Sequence, residues 1–520
     1  MNISSLIFSK NKNSLSKPAL KINDTTISYK ELFNKALFVA SVLINSGAKN
    51  ETIGIVGQRK FSSYVGLLGI LFSGCNFTPI NPKYNKSRIK AMIDSSNIRF
   101  LVGDVSDIDK IDENILSEMK FLVTPFSLAS DSSKYNWIDQ KTNIDIDLLD
   151  FPVRRNYDDL AYINYTSGST GSPKGVKVSH SNIEAFITNM SKLYPLSPGF
   201  RASQTFDLSF DPSVSDILFT WYMTGILCVL PEKEILVPTE FISREKITFW
   251  NSVPSIANFM MKTGNLGENI FPELTHSMFC GEQFPVHIAK AWRNAAPNST
   301  IENLYGPTET TIYISRYVYT KEDEAKVFKN NIVPIGKPFD SHEFMLLDEN
   351  NLPLTNGDKG EIIFSGPQVT LGYLDNKLKT KEVFIDFDWD ESERVWYKTG
   401  DLGFINHEGN LECTGRIDSQ IKLAGRRVEI GEIESALSTF TLTEGAVVVP
   451  LRDIQDIVIG CIAFTLQEIT KEDINNIRSE ISTILDMAFF PKKIITLESF
   501  PKAQSGKINR RALEDLAKKF

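Results

Sequence analysis

Along most of the chain, helical patterns of apolar residues alternate with short runs of consecutive apolar residues. From Ser28 to about Gln368, helical patterns are separated by short apolar runs such as Thr52–Gly57, Phe100–Gly103 and Ile301–Leu304. Short apolar runs between amphipathic helices are typical of strands in layered α/β proteins. This part of the chain is therefore predicted to form a large α/β domain.

The pattern changes after this segment. From about Pro334 to Arg416, Gly, Asn and Asp separate short strands such as Gly360–Phe364 and Leu411–Thr414, which indicates a β-rich subdomain. We expect residues 1–417 to form one core that includes the β-rich subdomain at about 334–416. Residues 418–520 are expected to form a small, mobile α+β domain.

The C-terminal segment combines two helices with strands. Its first helix carries Ile430, Ile433 and Leu437 on one face, and strands are predicted at Ala446–Val449 and Ile457–Phe464. Thr470 suits the N-cap of the second helix. The buried stripe of that helix is predicted to contain Ile474, Ile477, Ile481 and Ile484.

Composition excludes several classes of protein. A chain of 520 residues exceeds the size at which one core stops growing, and 42% hydrophobic with 23% charged residues is typical of a folded globular protein. A net charge of -8 disfavours a nucleic-acid binder. The five cysteines lack a CxxC pair, and the five histidines lack metal-ligand spacing.

Two further features concern location. The N-terminus lacks the apolar core of a signal peptide, and the longest apolar stretch, Ile217–Leu230, is shorter than the roughly 18 residues that span a bilayer. A cytoplasmic protein without a membrane span is the resulting expectation.

The most informative segment is a Gly/Ser/Thr loop, YTSGSTGSPKG, at Tyr165–Gly175. It lies between two predicted strands, Leu160–Asn164 and Val176–Ser179. Glycines allow a polyphosphate to approach the backbone, hydroxyls donate to its oxygens and Lys174 supplies a cation. The loop lacks the GxxxxGK[ST] pattern of a Walker A loop, and a flexible linker is the simpler alternative.

With other motifs, the loop resembles the superfamily of acyl- and aryl-CoA synthetases, luciferases and nonribosomal-peptide adenylation domains. The motifs cover nearly the whole chain: GCNFTPINPKY (74–84), FDLSFDPSVSD (206–216), NLYGPTE (303–309), GEIIFSGPQVTLGY (360–373), YKTGDL (397–402), GRIDSQIKLAGRRVEIGEIE (415–434) and PKAQSGKINR (501–510). The resemblance implies an AMP-forming ligase that uses ATP and Mg²⁺. Its first step joins a carboxylate to AMP.

The resemblance also implies nucleotide contacts. Glu309 corresponds to the magnesium ligand, Tyr305 to the aromatic face against adenine, and Asp401 to the carboxylate that holds the ribose hydroxyls. The remaining contacts are Thr166, Ser167, Gly168, Ser169, Thr170, Lys174, Gly281, Glu282, Thr308 and Arg416. Taken alone, Asp401 also suits a turn and Glu309 a helix start.

Three positions are implied in catalysis and domain movement. Lys507 corresponds to the lysine between substrate carboxylate and α-phosphate, and with Glu309 and Thr166 completes the expected catalytic set. Asp418 corresponds to the hinge of the small domain. Gly425 lies in the loop expected to line a pantetheine tunnel. An ordinary surface lysine is the alternative for Lys507.

The substrate is implied to be an α-amino acid. In the FDLSFDPSVSD motif, Asp211 corresponds to the carboxylate that binds the α-ammonium, although Asp-Pro also suits a helix N-cap. The side-chain pocket is expected to be lined by Pro212, Ser215, Asn251, Met278, Cys280, Leu304, Ile312 and Tyr313. This lining is mostly neutral and favours a small or medium apolar side chain.

The identity of the amino acid and the acceptor stay open. SMFCGE (277–282) resembles D-alanine–carrier-protein ligases, in which a cysteine at the Cys280 position shapes the pocket, whereas FDPSVSD departs from them. D-Alanine and L-proline, valine or leucine are all options. No pantetheine-attachment motif is found, so a separate carrier protein is the expected acceptor. Coenzyme A, or an inactive adenylate-binding module, is the alternative.

Overall fold

A computed structural model describes most of the chain. The described residues are 2–126, 135–139, 152–153, 155–166, 173–328, 331–354, 357–392, 394–418, 420–423, 425–453, 458–482, 484–502 and 508–520. They form two compact units. Unit 1 comprises 1–82, 93–165 and 175–417, and unit 2 comprises 83–92, 166–174 and 418–520.

The first part of the chain alternates strands and helices. Its elements are α1 (Ile3–Lys10), β1 (Pro18–Ile22), β2 (Thr25–Ser28), α2 (Tyr29–Asn45), β3 (Thr52–Val56), α3 (Phe61–Phe72), β4 (Asn76–Ile80), α4 (Lys86–Ser95), β5 (Phe100–Gly103), α5 (Val105–Ile108), α6 (Glu113–Ser117), β6 (Phe121–Thr124), β7 (Trp137–Asp139), β8 (Leu160–Thr166), β9 (Lys174–Ser179) and α7 (His180–Leu193). Regular structure therefore begins before Ser28, where the alternation was expected to start.

The elements that carry the candidate site come next. They are β10 (Arg201–Gln204), α8 (Pro212–Tyr222), β11 (Ile226–Val229), α9 (Thr239–Arg244), β12 (Phe249–Ser252), α10 (Pro254–Lys262), β13 (His276–Cys280), α11 (Val286–Ala295), β14 (Thr300–Tyr305), β15 (Ser315–Tyr319) and β16 (Lys337–Pro338). The apolar stretch 217–230 is divided between α8 and β11. Within the ranges given above, no helix is long and apolar enough to cross a membrane.

Two large sheets build unit 1 as far as it is described. One has the strand order β16-β15-β14-β13-β12-β10-β11-β1-β2, with parallel pairing from β1 through β14. The other has the order β7-β6-β5-β3-β4-β8-β9. Strands β3, β4 and β5 are almost wholly buried, as is typical of parallel strands that are covered on both faces.

The β-rich subdomain contains β17 (Glu343–Leu347), β18 (Gly360–Ser365), α12 (Lys377–Val383), β19 (Phe384–Asp386), β20 (Val395–Ile405) and β21 (Leu411–Arg416). Its strands pair antiparallel in the order β17-β18-β20-β19, and β21 pairs with β20. This pairing sets Asp401 opposite Arg416.

Unit 2 has its own apolar core. Its C-terminal elements are β22 (Gln420–Leu423), β23 (Arg426–Glu429), α13 (Ile430–Leu437), β24 (Val447–Arg452), β25 (Val458–Thr465), α14 (Lys471–Ile481), β26 (Lys493–Thr496) and α15 (Arg510–Ala517). Ile433 and Leu437 are fully buried. Thr470 caps α14 as predicted, but α14 ends at Ile481, so Ile484 lies beyond it and is exposed.

Candidate functional site

The carboxyl ends of neighbouring parallel strands bring the predicted substrate residues together. β10, β12, β13 and β14 are adjacent in the large sheet and parallel. They lead into the 205–216 segment and end near Asn251, Cys280 and Tyr305. In open α/β sheets, ligands bind at this edge of the strands. Motifs far apart in sequence therefore meet in one region of unit 1.

Asp211 precedes α8 and its carboxyl group is buried. Its side chain makes no cap hydrogen bond to the helix. The Thr308 hydroxyl and the Ile312 N–H approach the carboxyl group, while Oδ2 has no hydrogen-bond partner in the described parts of the chain. Burial, reinforced by the charge of Glu309, raises the pKa of Asp211 to about 7. The capping explanation for this residue is therefore wrong.

The turn after β14 has an unusual backbone. Thr311 and Ile312 have φ of 57° and 72°, values that β-branched residues rarely adopt. A Cβ atom at Gly306 would overlap the Ile312 carbonyl oxygen, so glycine is required there. Gln368 is fully buried and its Nε2 donates to the Tyr313 carbonyl at 2.7 Å. These contacts fix the turn beside Asp211.

A polar cluster occupies the predicted side-chain pocket. Asn251 Nδ2 donates to Asp216 Oδ1 at 2.7 Å and lies 3.0 Å from the Tyr313 hydroxyl. The Cys280 thiol lies 3.5 Å from the same hydroxyl. Met278 and Leu304, also predicted for the pocket, are buried in β13 and β14. The lining is thus more polar than the sequence suggested.

Three predicted nucleotide residues form a second cluster. The Tyr305 hydroxyl donates to Asp401 Oδ2 at 2.5 Å, and Arg416 Nη1 lies 2.6 Å from Asp401 Oδ1. Both Tyr305 and Asp401 are buried. Burial and the neighbouring Asp401 charge keep the pKa of Tyr305 well above its usual value, so its hydroxyl stays a donor. Asp401 is therefore not a simple turn residue.

Glu309 lies in a short 3-10 helix at Thr308–Thr310 and is 1% exposed. Tyr373 donates its hydroxyl proton to Glu309 Oε1 at 2.7 Å. A fixed carboxylate is the hard oxygen ligand that Mg²⁺ prefers. Burial contradicts the alternative of an exposed acid at a helix start.

Other predicted residues are placed individually. Gly281 follows β13 with a φ of 81°, and Glu282 Oε2 accepts a hydrogen bond of 2.9 Å from the Ser255 N–H. Pro212 begins α8, and Ser215 is buried within it. Thr166 ends β8 and Lys174 begins β9.

Part of the predicted machinery lies outside the described residues: Ser167, Gly168, Ser169, Thr170 and Lys507. In unit 2, Asp418 Oδ1 accepts a 3.1 Å hydrogen bond from the Gln420 N–H. Gly425, in the turn between β22 and β23, has a φ of 76° that favours glycine. Their roles as hinge and tunnel residue stay predictions.

Comparison with known proteins identifies the family. A family model described as AMP-binding enzyme matches residues 8–374. The chain belongs to this family. The AMP-binding enzyme resembles polyketide synthase PksN of Bacillus subtilis, with 31% identity over 507 residues, 95% of this chain and 9% of that protein. D-alanine--D-alanyl carrier protein ligase of Bacillus velezensis is 29% identical over 508 residues, 95% of each chain.

A solved structure resembles the AMP-binding enzyme over its full length. The Vibrio cholerae adenylation domain AlmE, in complex with glycyl-adenosine-5'-phosphate, superposes with a TM-score of 0.88 at 27% identity over 100% of this chain and 98% of that one. The layered α/β fold and the AMP-forming ligase class predicted from the sequence are confirmed. Some relatives are many times longer than the AMP-binding enzyme, and others are matched almost end to end.

The sequence reasoning missed three buried residues that organise this site. Asp216 supports Asn251, Gln368 fixes the 311–313 turn, and Tyr373 holds Glu309. All three lie inside or at the end of motifs that the sequence had already singled out. In the sequence, Asp216 stands out as an acidic residue within an apolar helical stretch.

Proposed function

We propose that the AMP-binding enzyme adenylates a small or medium neutral α-amino acid and transfers it to the phosphopantetheine thiol of a separate carrier protein. One substrate carboxylate oxygen bonds to the α-phosphorus of ATP, and pyrophosphate leaves. The thiol sulfur then bonds to the acyl carbon, and AMP leaves. The products are pyrophosphate, AMP and an aminoacyl thioester.

The observation that carries the proposal is the Asp211 carboxyl group. Its buried Oδ2 has no hydrogen-bond partner in the described ranges, and such groups are costly unless a water or a ligand satisfies them. An α-ammonium supplies both a donor and a positive charge, which restores the ionised form of the acid. A carboxylic acid without an amine would leave the cost unrelieved.

Two named relatives support an amino acid rather than another acid. One is a D-alanine--D-alanyl carrier protein ligase, and the other was solved with glycyl-adenosine-5'-phosphate. Both names refer to small α-amino acids. The first also names a carrier protein, which supports a carrier as the acceptor of this chain.

The nucleotide is assigned to the second cluster. Asp401 would accept hydrogen bonds from the ribose hydroxyls, held in place by Tyr305 and Arg416. Glu309, fixed by Tyr373, would hold Mg²⁺. When bound, the ion would neutralise charge on the phosphate oxygens. Thr166 and Lys174 flank the phosphate loop, and Lys507 would meet the charge that develops on the α-phosphate.

ATP–pyrophosphate exchange tests the first step. We expect exchange with small α-amino acids, in at least one enantiomer, and little with the matching acids that lack the amine, such as propionate for alanine. Exchange with amine-free acids alone would indicate an acyl- or aryl-CoA ligase. ATP binding without any exchange would indicate an inactive module.

The acceptor needs its own assay. Pantetheinylated carrier proteins and coenzyme A are compared at equal thiol concentration, with radiolabelled amino acid and ATP. Faster thioester formation on a carrier protein supports the proposal, and faster formation on coenzyme A refutes the carrier assignment.

A further inference from the structure

A second buried acid lies in the substrate region. Asp216 lies on α8, five residues after Asp211, and is 4% exposed. Its Oδ1 accepts a 2.7 Å hydrogen bond from Asn251, whereas Oδ2 is buried and has no partner in the described segments. The family resemblance assigned no role to this residue.

A continuous set of contacts connects the two acids. The Ile312 N–H approaches Asp211, and the next residue, Tyr313, has its hydroxyl 3.0 Å from Asn251 Nδ2. The same nitrogen contacts Asp216. Asp216 is therefore linked, through Asn251 and Tyr313 of the predicted side-chain pocket, to the turn that approaches Asp211.

The chemistry at Oδ2 restricts what can bind there. Burial keeps the pKa of Asp216 well above its usual range, and its nearest described partners, Asn251 and the Thr205 N–H, are neutral. A hydroxyl can donate to a carboxylate or accept from a carboxylic acid, so it satisfies Oδ2 in either form. A methyl group can do neither, and it would leave the buried oxygen unpaired.

We propose that Asp216 binds a hydroxyl group on the substrate side chain, so that the preferred substrate is a hydroxyl-bearing α-amino acid. This proposal rests on the proposed amino-acid adenylation.

A purely positioning role for Asp216 makes a different prediction. If Asp216 only orients Asn251, replacing Asp216 would change the largest side chain that the pocket accepts. It would not change the preference between a hydroxyl and a methyl group of similar volume. Recognition of a side-chain ammonium on the substrate makes a third prediction, because such a group would require Asp216 to be ionised. Pairs of substrates with similar shape separate these cases.

The first measurement uses the wild-type enzyme in ATP–pyrophosphate exchange. The pairs are serine with 2-aminobutyrate, threonine with valine, and homoserine with norvaline, each as both enantiomers. We expect at least one hydroxyl member to exceed its partner in kcat/KM by about 100-fold or more. Equal or reversed ratios in every pair would overturn the inference, and so would a preference for 2,4-diaminobutyrate over homoserine.

The second measurement uses Asp216→Leu, which keeps the branched arrangement of the side-chain heavy atoms but removes the polar group. Its hydroxyl-to-methyl ratio in kcat/KM is expected to fall below about 10-fold. Thr220→Val, which changes another buried polar residue of α8, is the matched control and should keep the wild-type ratio. An unchanged ratio in Asp216→Leu would overturn the proposal.

The wild-type pairs decide the question even where Asp216→Leu does not fold. They also separate the two proposals. If the wild-type enzyme uses the methyl substrates with the same kcat/KM as their hydroxyl partners, hydroxyl recognition is refuted and amino-acid adenylation is left intact. Absence of exchange with any amino acid refutes both.

Discussion

Replacing Asp211 with asparagine should change stability and activity in opposite directions. Burial raises the pKa of this carboxyl group from 3.8 to about 7. The folded protein therefore binds the proton more tightly than the unfolded chain does. Stability falls as the pH rises from about 4 to about 7, because the buried acid must then ionise.

The size of this effect follows from the pKa change. A difference of about 3 pH units corresponds to roughly 4 kcal/mol, at 1.36 kcal/mol per unit. An amide also loses hydration on burial, so Asp211→Asn should recover only part of this, about 1–3 kcal/mol at pH 8. Near pH 4 both side chains are neutral and the gain should disappear.

Activity toward amino acids should fall in the same variant. Loss of a buried charged partner costs about 2–5 kcal/mol, which corresponds to roughly 30-fold to several thousand-fold in kcat/KM. In the wild-type enzyme, kcat/KM should also decline as the pH falls through about 7, since protonation removes the charge that binds the ammonium. Asp211→Asn should lack that decline.

The assays are thermal unfolding and ATP–pyrophosphate exchange between pH 5 and pH 8, with propionate as the amine-free control for alanine. We expect Asp211→Asn to melt at a higher temperature at pH 8 and to lose its preference for alanine over propionate. A variant that melts at a lower temperature than the wild type at pH 8 and keeps wild-type amino-acid turnover would refute both the burial argument and the charge-binding role.

Two further predictions concern the C-terminal segment. Lys507→Ala should lower amino-acid-dependent pyrophosphate exchange by roughly 10²–10³-fold, because a positioned transition-state donor is lost, while thioester formation from preformed aminoacyl-AMP survives. Lys502→Ala is the control, and an equal loss in both half-reactions would contradict a role in adenylation alone. Asp418→Pro fixes φ at the predicted hinge and should reduce thioester formation more than exchange. Asp418→Ala leaves φ free, so an effect in both variants, or in neither, would argue against the hinge.

The arrangement of strands and helices was largely predictable from apolar periodicity, whereas their ends depend on local geometry. β3 was expected to run to Gly57 but ends at Val56. Gly57 has a φ of 99°, and a Cβ there would overlap the Asp107 carboxylate. Such a close approach involves residues fifty positions apart and leaves no periodic signal.

The sequence motifs identify candidate site residues, but not how these residues contact one another. Tyr305, Asp401 and Arg416 come from three motifs, and their contact depends on the register of β20 with β21. The motifs identify all three residues, and strand pairing in the sheet places Asp401 opposite Arg416.

Asp216 shows where periodic reasoning fails. An amphipathic pattern assumes that one face of a helix meets solvent, so that an acid between apolar residues points outward. In α8, every residue from Ser213 to Trp221 is buried, and the helix has no solvent face for Asp216. A polar residue on such a helix must find its partner inside the protein or in a ligand.

Several unfavourable features of the described structure lie in the region around α8 and the 311–313 turn. Asp211 and Asp216 each bury an unpartnered carboxyl oxygen, and Thr311 and Ile312 adopt left-handed backbone conformations beside them. Each feature costs about 1–3 kcal/mol in the free protein. A ligand with an ammonium at one end and a hydroxyl at the other would relieve both buried acids at once. If the two proposals hold, the interactions that destabilise the free protein would favour binding of that ligand over one that satisfies only Asp211.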